Sequence, residues 1–277
     1  SVIVTNVYSD YTNFAGIQIV LATVMFAFQI YCDFSGYSHI AIGASEILGF
    51  KLMKNFRQPY FAVSVTDFWH RWHVSLTTWF KDYLYIPLGG NRKGKIRKYC
   101  NILAVFFASG LWHGANVTFI VWGVLNGIFQ IAEDILHVNT KGRINPIIRA
   151  FKICFTFLLV DFTWLFFRAE NMEHAIGLIR RITGQFFCNI EFSFPGAINL
   201  MRDMGANTSR TVWIIFAIVI LLLIDYLHEK DISISASIQT LPSFARWSIY
   251  LVACEVLIYN WICNFGVAAE QFIYFQF

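Results

Sequence analysis

His113 lies in Ser109-Gly110-Leu111-Trp112-His113-Gly114-Ala115-Asn116, an ionisable imidazole inside an apolar run, flanked by glycines and a tryptophan. An imidazole at membrane depth is costly unless it is paired or faces a wet cavity, so the position points to function. The structural alternative is a buried histidine satisfied by a neighbouring helix carbonyl. Forty residues earlier, His73 closes the run Asp67-Phe68-Trp69-His70-Arg71-Trp72-His73. On separate segments, the two histidines could converge on one buried channel. A neutral imidazole can take a proton from a hydroxyl and stabilise the charge that develops, which is what acyl transfer to an alcohol requires. Nothing signals a serine nucleophile: there is no Gly-x-Ser-x-Gly elbow, and Ser35 and Ser38 stand in a different context. His70 and His73 have a possible metal-ligand spacing, but without a third ligand or the acid of a His-Glu-x-x-His motif the pattern predicts no metal.

The elements that must hold these residues belong to a bilayer. The chain is 57% hydrophobic, 18% aromatic and 14% charged, against about 25% charged for an ordinary soluble domain. Apolar runs approaching the roughly 20 residues of a spanning helix recur along its length. A polytopic, all-α transmembrane bundle follows, read as a single domain over 1–277 without repeats or linkers. The net charge of +4 is small and the basic residues sit in a few loops, which argues against nucleic-acid binding. Six cysteines without Cys-x-x-Cys spacing read as packing residues, not as a disulfide framework. The chain opens on Ser1 with no signal-peptide pattern.

Taken in order, Phe14 to Tyr31 is the first predicted span. Cys32-Asp33-Phe34-Ser35-Gly36-Tyr37-Ser38-His39 then suits either a helix break lining a cavity or an interfacial turn. Ala41 to Phe50, with Glu46 inside, is too short to span and reads as a half-helix or an interfacial segment. Thr66 to Phe80 is predicted as one amphipathic helix, with Phe68, Trp69, Trp72, Leu76, Trp79 and Phe80 on one arc and His73 at its border. Asp67 and Arg71 are four apart and can pair, fixing the polar face. The loop from Lys81 to Lys98 carries clustered basic residues and is cytoplasmic by the positive-inside rule; it could also attract an anionic, phosphate-bearing donor. Asn101 to Trp112 re-enters the membrane and would put His113 about 18 Å along the axis, near or beyond the middle. Val117 to Ile131 returns toward a second basic stretch holding Lys141, Arg143, Arg149 and Lys152. Ile153 to Phe167, Val212 to Leu227 and Trp247 to Phe265 are further spans, carrying Asp161, Asp225 and Glu255. His174 to Thr183 is a short amphipathic piece in an extramembrane region reaching about Arg210.

Gln29-Ile30-Tyr31-Cys32-Asp33-Phe34-Ser35-Gly36-Tyr37-Ser38, Asn55-Phe56-Arg57-Gln58-Pro59-Tyr60, Asp67 to Leu76, Asp82-Tyr83-Leu84-Tyr85-Ile86-Pro87-Leu88-Gly89-Gly90-Asn91-Arg92 and Gly110-Leu111-Trp112-His113-Gly114 form five ordered motifs. Together they resemble the bacterial branch of the membrane-bound O-acyltransferase family, as does the closing Phe272-Ile273-Tyr274-Phe275-Gln276-Phe277. The resemblance implies helices around a tunnel, His113 as the catalytic residue and His73 as a second tunnel residue. Asp33, Ser35, Asp67, Trp69, Arg71, Trp72, Trp112 and Asn116 are then expected along the tunnel. It also implies a multi-pass protein of the bacterial inner membrane that holds no cofactor. The implied donor is acetyl-CoA or another cytoplasmic acyl donor. The implied acceptor is a hydroxyl of an exported, alginate-like polysaccharide, reached directly or through a relay acyltransferase protein. Family members usually carry more transmembrane helices before the Asp-Phe-Ser-Gly-Tyr motif, so the chain is expected to be the C-terminal part of a longer one. The competing reading of the same buried histidines and acids is a polytopic transporter or channel.

Overall fold

The computed structural model describes residues 2–138, 145–188 and 193–263. Among them there is no strand. Helices α1 (Val2–Ser9), α2 (Gly16–Ile47), α3 (Val65–Arg71), α4 (Val74–Phe80), α5 (Lys95–His113) and α6 (Val117–Ile135) come first. They are followed by α7 (Pro146–Arg168), α8 (Met172–Gly184), α9 (Phe194–Asp203), α10 (Thr208–Glu229), α11 (Ile234–Gln239) and α12 (Ser243–Cys263). Helices α2, α7 and α10 are long and apolar enough to cross a membrane, and the chain is an all-α membrane protein. Lys141, Arg143 and the closing aromatic run lie outside the described residues.

Neither the helix break nor the interfacial turn offered for the segment after Tyr31 is present. Buried residues Ile19, Ala22, Phe26, Ile30, Phe34 and Ser38 recur every three or four positions, so one packed stripe carries α2 through the Asp-Phe-Ser-Gly segment as continuous helix. Asp33, Ser35 and Gly36 simply fall off that stripe. The segment expected as a half-helix is the C-terminal part of α2, which stops at Gly49, whose φ of +83° favours glycine.

The amphipathic helix expected over Thr66 to Phe80 is instead two helices. Trp72 is extended (φ −103°, ψ 130°), and His73 is left-handed (φ 45°, ψ 51°). The 55–57 segment competes for the backbone here: the Arg57 N–H donates to the Arg71 carbonyl at 3.0 Å, and the Val74 N–H to the Asn55 carbonyl at 3.0 Å.

Helix α5 starts six residues earlier than the apolar run suggests, just after Gly94. His113 is therefore its last residue, about 27 Å from Lys95 at 1.5 Å per residue, a longer run than the 18 Å counted from Asn101. α5 and α6 form a tight hairpin because small residues admit the partner backbone: a Cβ on Gly110 would strike the Phe119 carbonyl, and one on Gly123 the Phe106 carbonyl. Asn116 caps α6, its side-chain oxygen accepting from the Thr118 N–H at 3.1 Å.

Pairings at the helix ends give the bundle two poles. Lys98 meets Asp134 at 2.6 Å, Arg149 meets Glu229 at 2.6 Å, and Glu133 accepts from the Thr66 N–H at 3.0 Å. These gather the starts of α3, α5 and α7 with the ends of α6 and α10. At the opposite pole, the Gly16 N–H donates to the Gln185 carbonyl at 3.0 Å, and the Asn116 amide donates to the Glu170 carbonyl at 2.6 Å.

The core between the poles is aromatic, with Trp72, Trp122 and Trp164 buried. Among the described residues the cysteines do not fill it: Cys32, Cys100, Cys154, Cys188 and Cys254 are exposed free thiols.

Candidate active site

Helix α5 delivers His113 at its C-terminal end, where Gly110 brings α6 close enough for aromatic rings to surround it. The His113 ring lies 5.1 Å from Trp122, nearly perpendicular at 89°, 5.1 Å from Phe167 of α7 and 6.3 Å from Phe119. Trp112 stands edge-on at 4.9 Å. Such a surround strengthens any charge interaction at the ring by excluding water. The side chain keeps partial exposure, so a substrate atom can reach it.

The α3–α4 junction delivers His73. Its ring sits 4.6 Å from Phe34 of α2 at 85° and 6.4 Å from Trp112, and its Nδ1 is 3.4 Å from the Ser75 hydroxyl. Trp112 thus bridges two histidines supplied by separate segments. A pair of imidazoles beside one half-open tryptophan can accept a proton at one ring and hold a hydrogen bond from the other.

The other expected tunnel residues are distributed more widely. Trp69 and Trp72 are buried behind the histidines. The Trp69 Nε1–H donates to Asn126 at 3.1 Å, and Trp72 packs on Phe56 at 5.0 Å and on Trp164 at 5.2 Å. Asp67 and Arg71 pair at 2.8 Å, as their spacing predicts, and Arg71 also meets Glu229 of α10 at 2.6 Å. Burial works against the Arg71 cation, but the hydrogen bonds it donates to Glu229 and Asp67 outweigh it and raise the guanidinium above its usual range. Helix α3 is too short to span, and this network ties it to α10. Asn116 joins the α6 start to the α7 end. On α2 it is Phe34 that touches His73. Asp33 is exposed beside it, and Ser35 lines a different cavity of about 730 Å³ with Tyr31, Lys54 and Asp225. Ser35 thus lines a cavity separate from the histidine pair.

Sequence reasoning passed over several residues. Ser109 ends a cavity of about 290 Å³ that runs beside α5 from Lys98 past Ile102 and Phe106. It lies one turn before His113, on the same helix face. Asn126, buried among tryptophans, also donates to Thr163 at 3.2 Å; a polar residue inside the Val117–Ile131 run was the available signal. Glu133 and Asn55 carried none beyond, for Asn55, its place in a quoted motif. Among the described residues, no three His, Cys, Asp or Glu side chains gather as a metal ion would need.

The model of the MBOAT, membrane-bound O-acyltransferase family, matches residues 3–168, which contain both histidines and the elements that carry them. The chain belongs to the membrane-bound O-acyltransferase family. Within it, the chain is similar to a probable alginate O-acetylase AlgI of Pseudomonas fluorescens, 35% identical over 93% of this chain and 57% of the relative. A peptidoglycan O-acetyltransferase of Helicobacter pylori is 34% identical over 96% of this chain and 50% of that protein. A teichoic acid D-alanyltransferase of Bacillus subtilis is 28% identical over 54% of the chain and 40% of the relative. The chain thus spans about half the length of these membrane-bound O-acyltransferase relatives, and the family match covers the α1 to α7 portion that builds the histidine pair.

Proposed function

We propose that this chain carries the transfer centre of a membrane-embedded O-acyltransferase that moves an acetyl group onto a polysaccharide hydroxyl. The observation that carries this reading is the meeting of His113 and His73 across Trp112. His113 acts as general base. Its imidazole takes the hydroxyl proton as the oxygen attacks the acyl carbonyl, the bond to the leaving thiol breaks, and the proton passes from the imidazolium to the departing sulfur. His73 hydrogen-bonds to a reacting group and steadies the charge. The donor, acetyl-CoA or another cytoplasmic acyl thioester, enters from the pole with the basic loops along the α5 cavity, which ends at Ser109, one turn from His113. The acceptor is an exported or cell-surface glycan of the alginate or peptidoglycan kind, reached directly or through a relay acyltransferase protein. The relatives' names support this acceptor class. On this reading the protein works in the bacterial inner membrane as a multi-pass enzyme.

The test is transfer of radiolabelled acetyl from acetyl-CoA in membranes holding the full-length protein, with His113→Ala beside the parent. Label should reach a glycan or partner protein only with the parent, a loss of at least about 10²-fold. Normal acetylation by an inserted His113→Ala protein would refute the assignment.

A further inference from the structure

We propose that Asn55 is a positioning residue that sets the aim of the His73 ring; this rests on the reading of His73 as part of the transfer centre. His73 is the residue before α4 but caps nothing with its own side chain. The opening amides of α4 would be left without acceptors, a cost that helix ends ordinarily meet with a side chain at this position. Asn55 supplies both acceptors from another segment. Its carbonyl takes the Val74 N–H at 3.0 Å, and its side-chain oxygen takes the Ser75 N–H at 3.2 Å. The side-chain amide of Asn55 reaches the hydroxyl of Ser38 at 3.4 Å, which is buried on α2.

This clamp has a consequence for His73 because of its backbone. A non-glycine residue at φ 45° and ψ 51° occupies a conformation that L-residues adopt uncommonly, and it persists only when its surroundings hold it there. The amides immediately after His73 are those that Asn55 holds, and just before it the Arg71 carbonyl accepts from the Arg57 N–H at 3.0 Å. Ser38, which anchors Asn55, and Phe34, which seats the His73 ring at 4.6 Å, are four apart on one face of α2. The same face of one helix thus fixes both the clamp and the ring it aims toward Trp112. Releasing Asn55 lets residue 73 relax to an ordinary conformation, which swings the imidazole off Phe34 and away from His113.

The experiment is a double-mutant cycle on acyl transfer by the full-length protein in membranes, with Asn55→Ala, His73→Ala and the pair, beside Asn55→Asp. Asn55→Ala should lower kcat about fivefold to tenfold, the scale of a lost cap acting on a two-state ring orientation, with KM for the donor unchanged. Asn55→Asp keeps an acceptor for the Ser75 N–H and should restore most of the rate. In the His73→Ala background, Asn55→Ala should cost nothing further. An equal loss from Asn55→Ala in both backgrounds, or no loss in either, overturns the proposal. If His73→Ala leaves no measurable rate, the Asp comparison decides: Ala and Asp variants equally impaired overturn it, and rescue by Asp alone upholds it. Full activity of His73→Ala with His113→Ala dead would instead defeat the role given to His73, a distinct outcome that also removes this proposal's basis.

Discussion

Arg71 shows how a single side chain joins parts of the fold that are far apart in sequence. Its guanidinium pairs with Asp67 four residues away and with Glu229 at the end of α10, and Glu229 also takes Arg149 from the start of α7. A planar fork can hold two carboxylates where a lysine could hold only one well. Arg71→Ala leaves Glu229, largely buried, with Arg149 alone, and should cost about 1 to 2 kcal/mol after allowance for partial exposure. Thermal unfolding of the detergent-solubilised full-length protein measures it. Arg71→Lys should recover less than half of that loss. The Asp67 contact was legible in the sequence, since i and i+4 on a helix are neighbours whatever the fold. The Glu229 contact was not, because nothing local links positions 71 and 229.

At the scale of elements, the α5–α6 hairpin brings His113 into its ring of aromatics, and its closeness depends on two glycines. Gly110 belongs to the Gly-Leu-Trp-His-Gly motif, yet its role is steric: it faces the Phe119 carbonyl as Gly123 faces that of Phe106. Gly123→Ala should push the helices apart and destabilise the protein by about 1 to 3 kcal/mol, the usual cost of overpacking. The helix separation should also tilt Phe119 and Trp122 off His113, so transfer should fall even at temperatures where the protein remains folded. Retained stability and rate in Gly123→Ala would show that the hairpin absorbs the methyl elsewhere. Hydrophobic runs located this hairpin well, and the amphipathic piece over His174 to Thr183 likewise falls within α8. They failed at α2 and at α3–α4 for opposite reasons. At Asp33 and Ser35, polar residues suggested a break that the stripe through Phe34 and Ser38 overrides. At Trp72 and His73, a fair helical wheel concealed a break that the Asn55 and Arg57 backbone groups impose. Long-range hydrogen bonds decide the second case, and helical periodicity does not report them.

For the molecule as a whole, the two poles turn the positive-inside rule into a geometrical statement. Asn101 holds the Gly90 carbonyl at 2.8 Å, and Lys98 pairs with Asp134, so the loop before α5 and the end of α6 share one pole. Glu170 sits at the other, where its carbonyl accepts from Asn116. The basic stretch Arg92 to Lys98 favours the cytoplasmic side for the first pole, which leaves Glu170 on the outer side. Both Lys93 and Glu170 are exposed, so single cysteines there report the orientation directly. In intact cells expressing a cysteine-free full-length background, a membrane-impermeant maleimide should label Glu170→Cys and should reach Lys93→Cys only after permeabilisation. This orientation is also what the proposed reaction needs, because it lets the α5 cavity open toward a cytoplasmic thioester while His113 lies at the far end of the same helix, nearer the exported acceptor. Labelling in the reverse pattern would place the α5 cavity on the outer face and remove the proposed donor route, whatever the two histidines do.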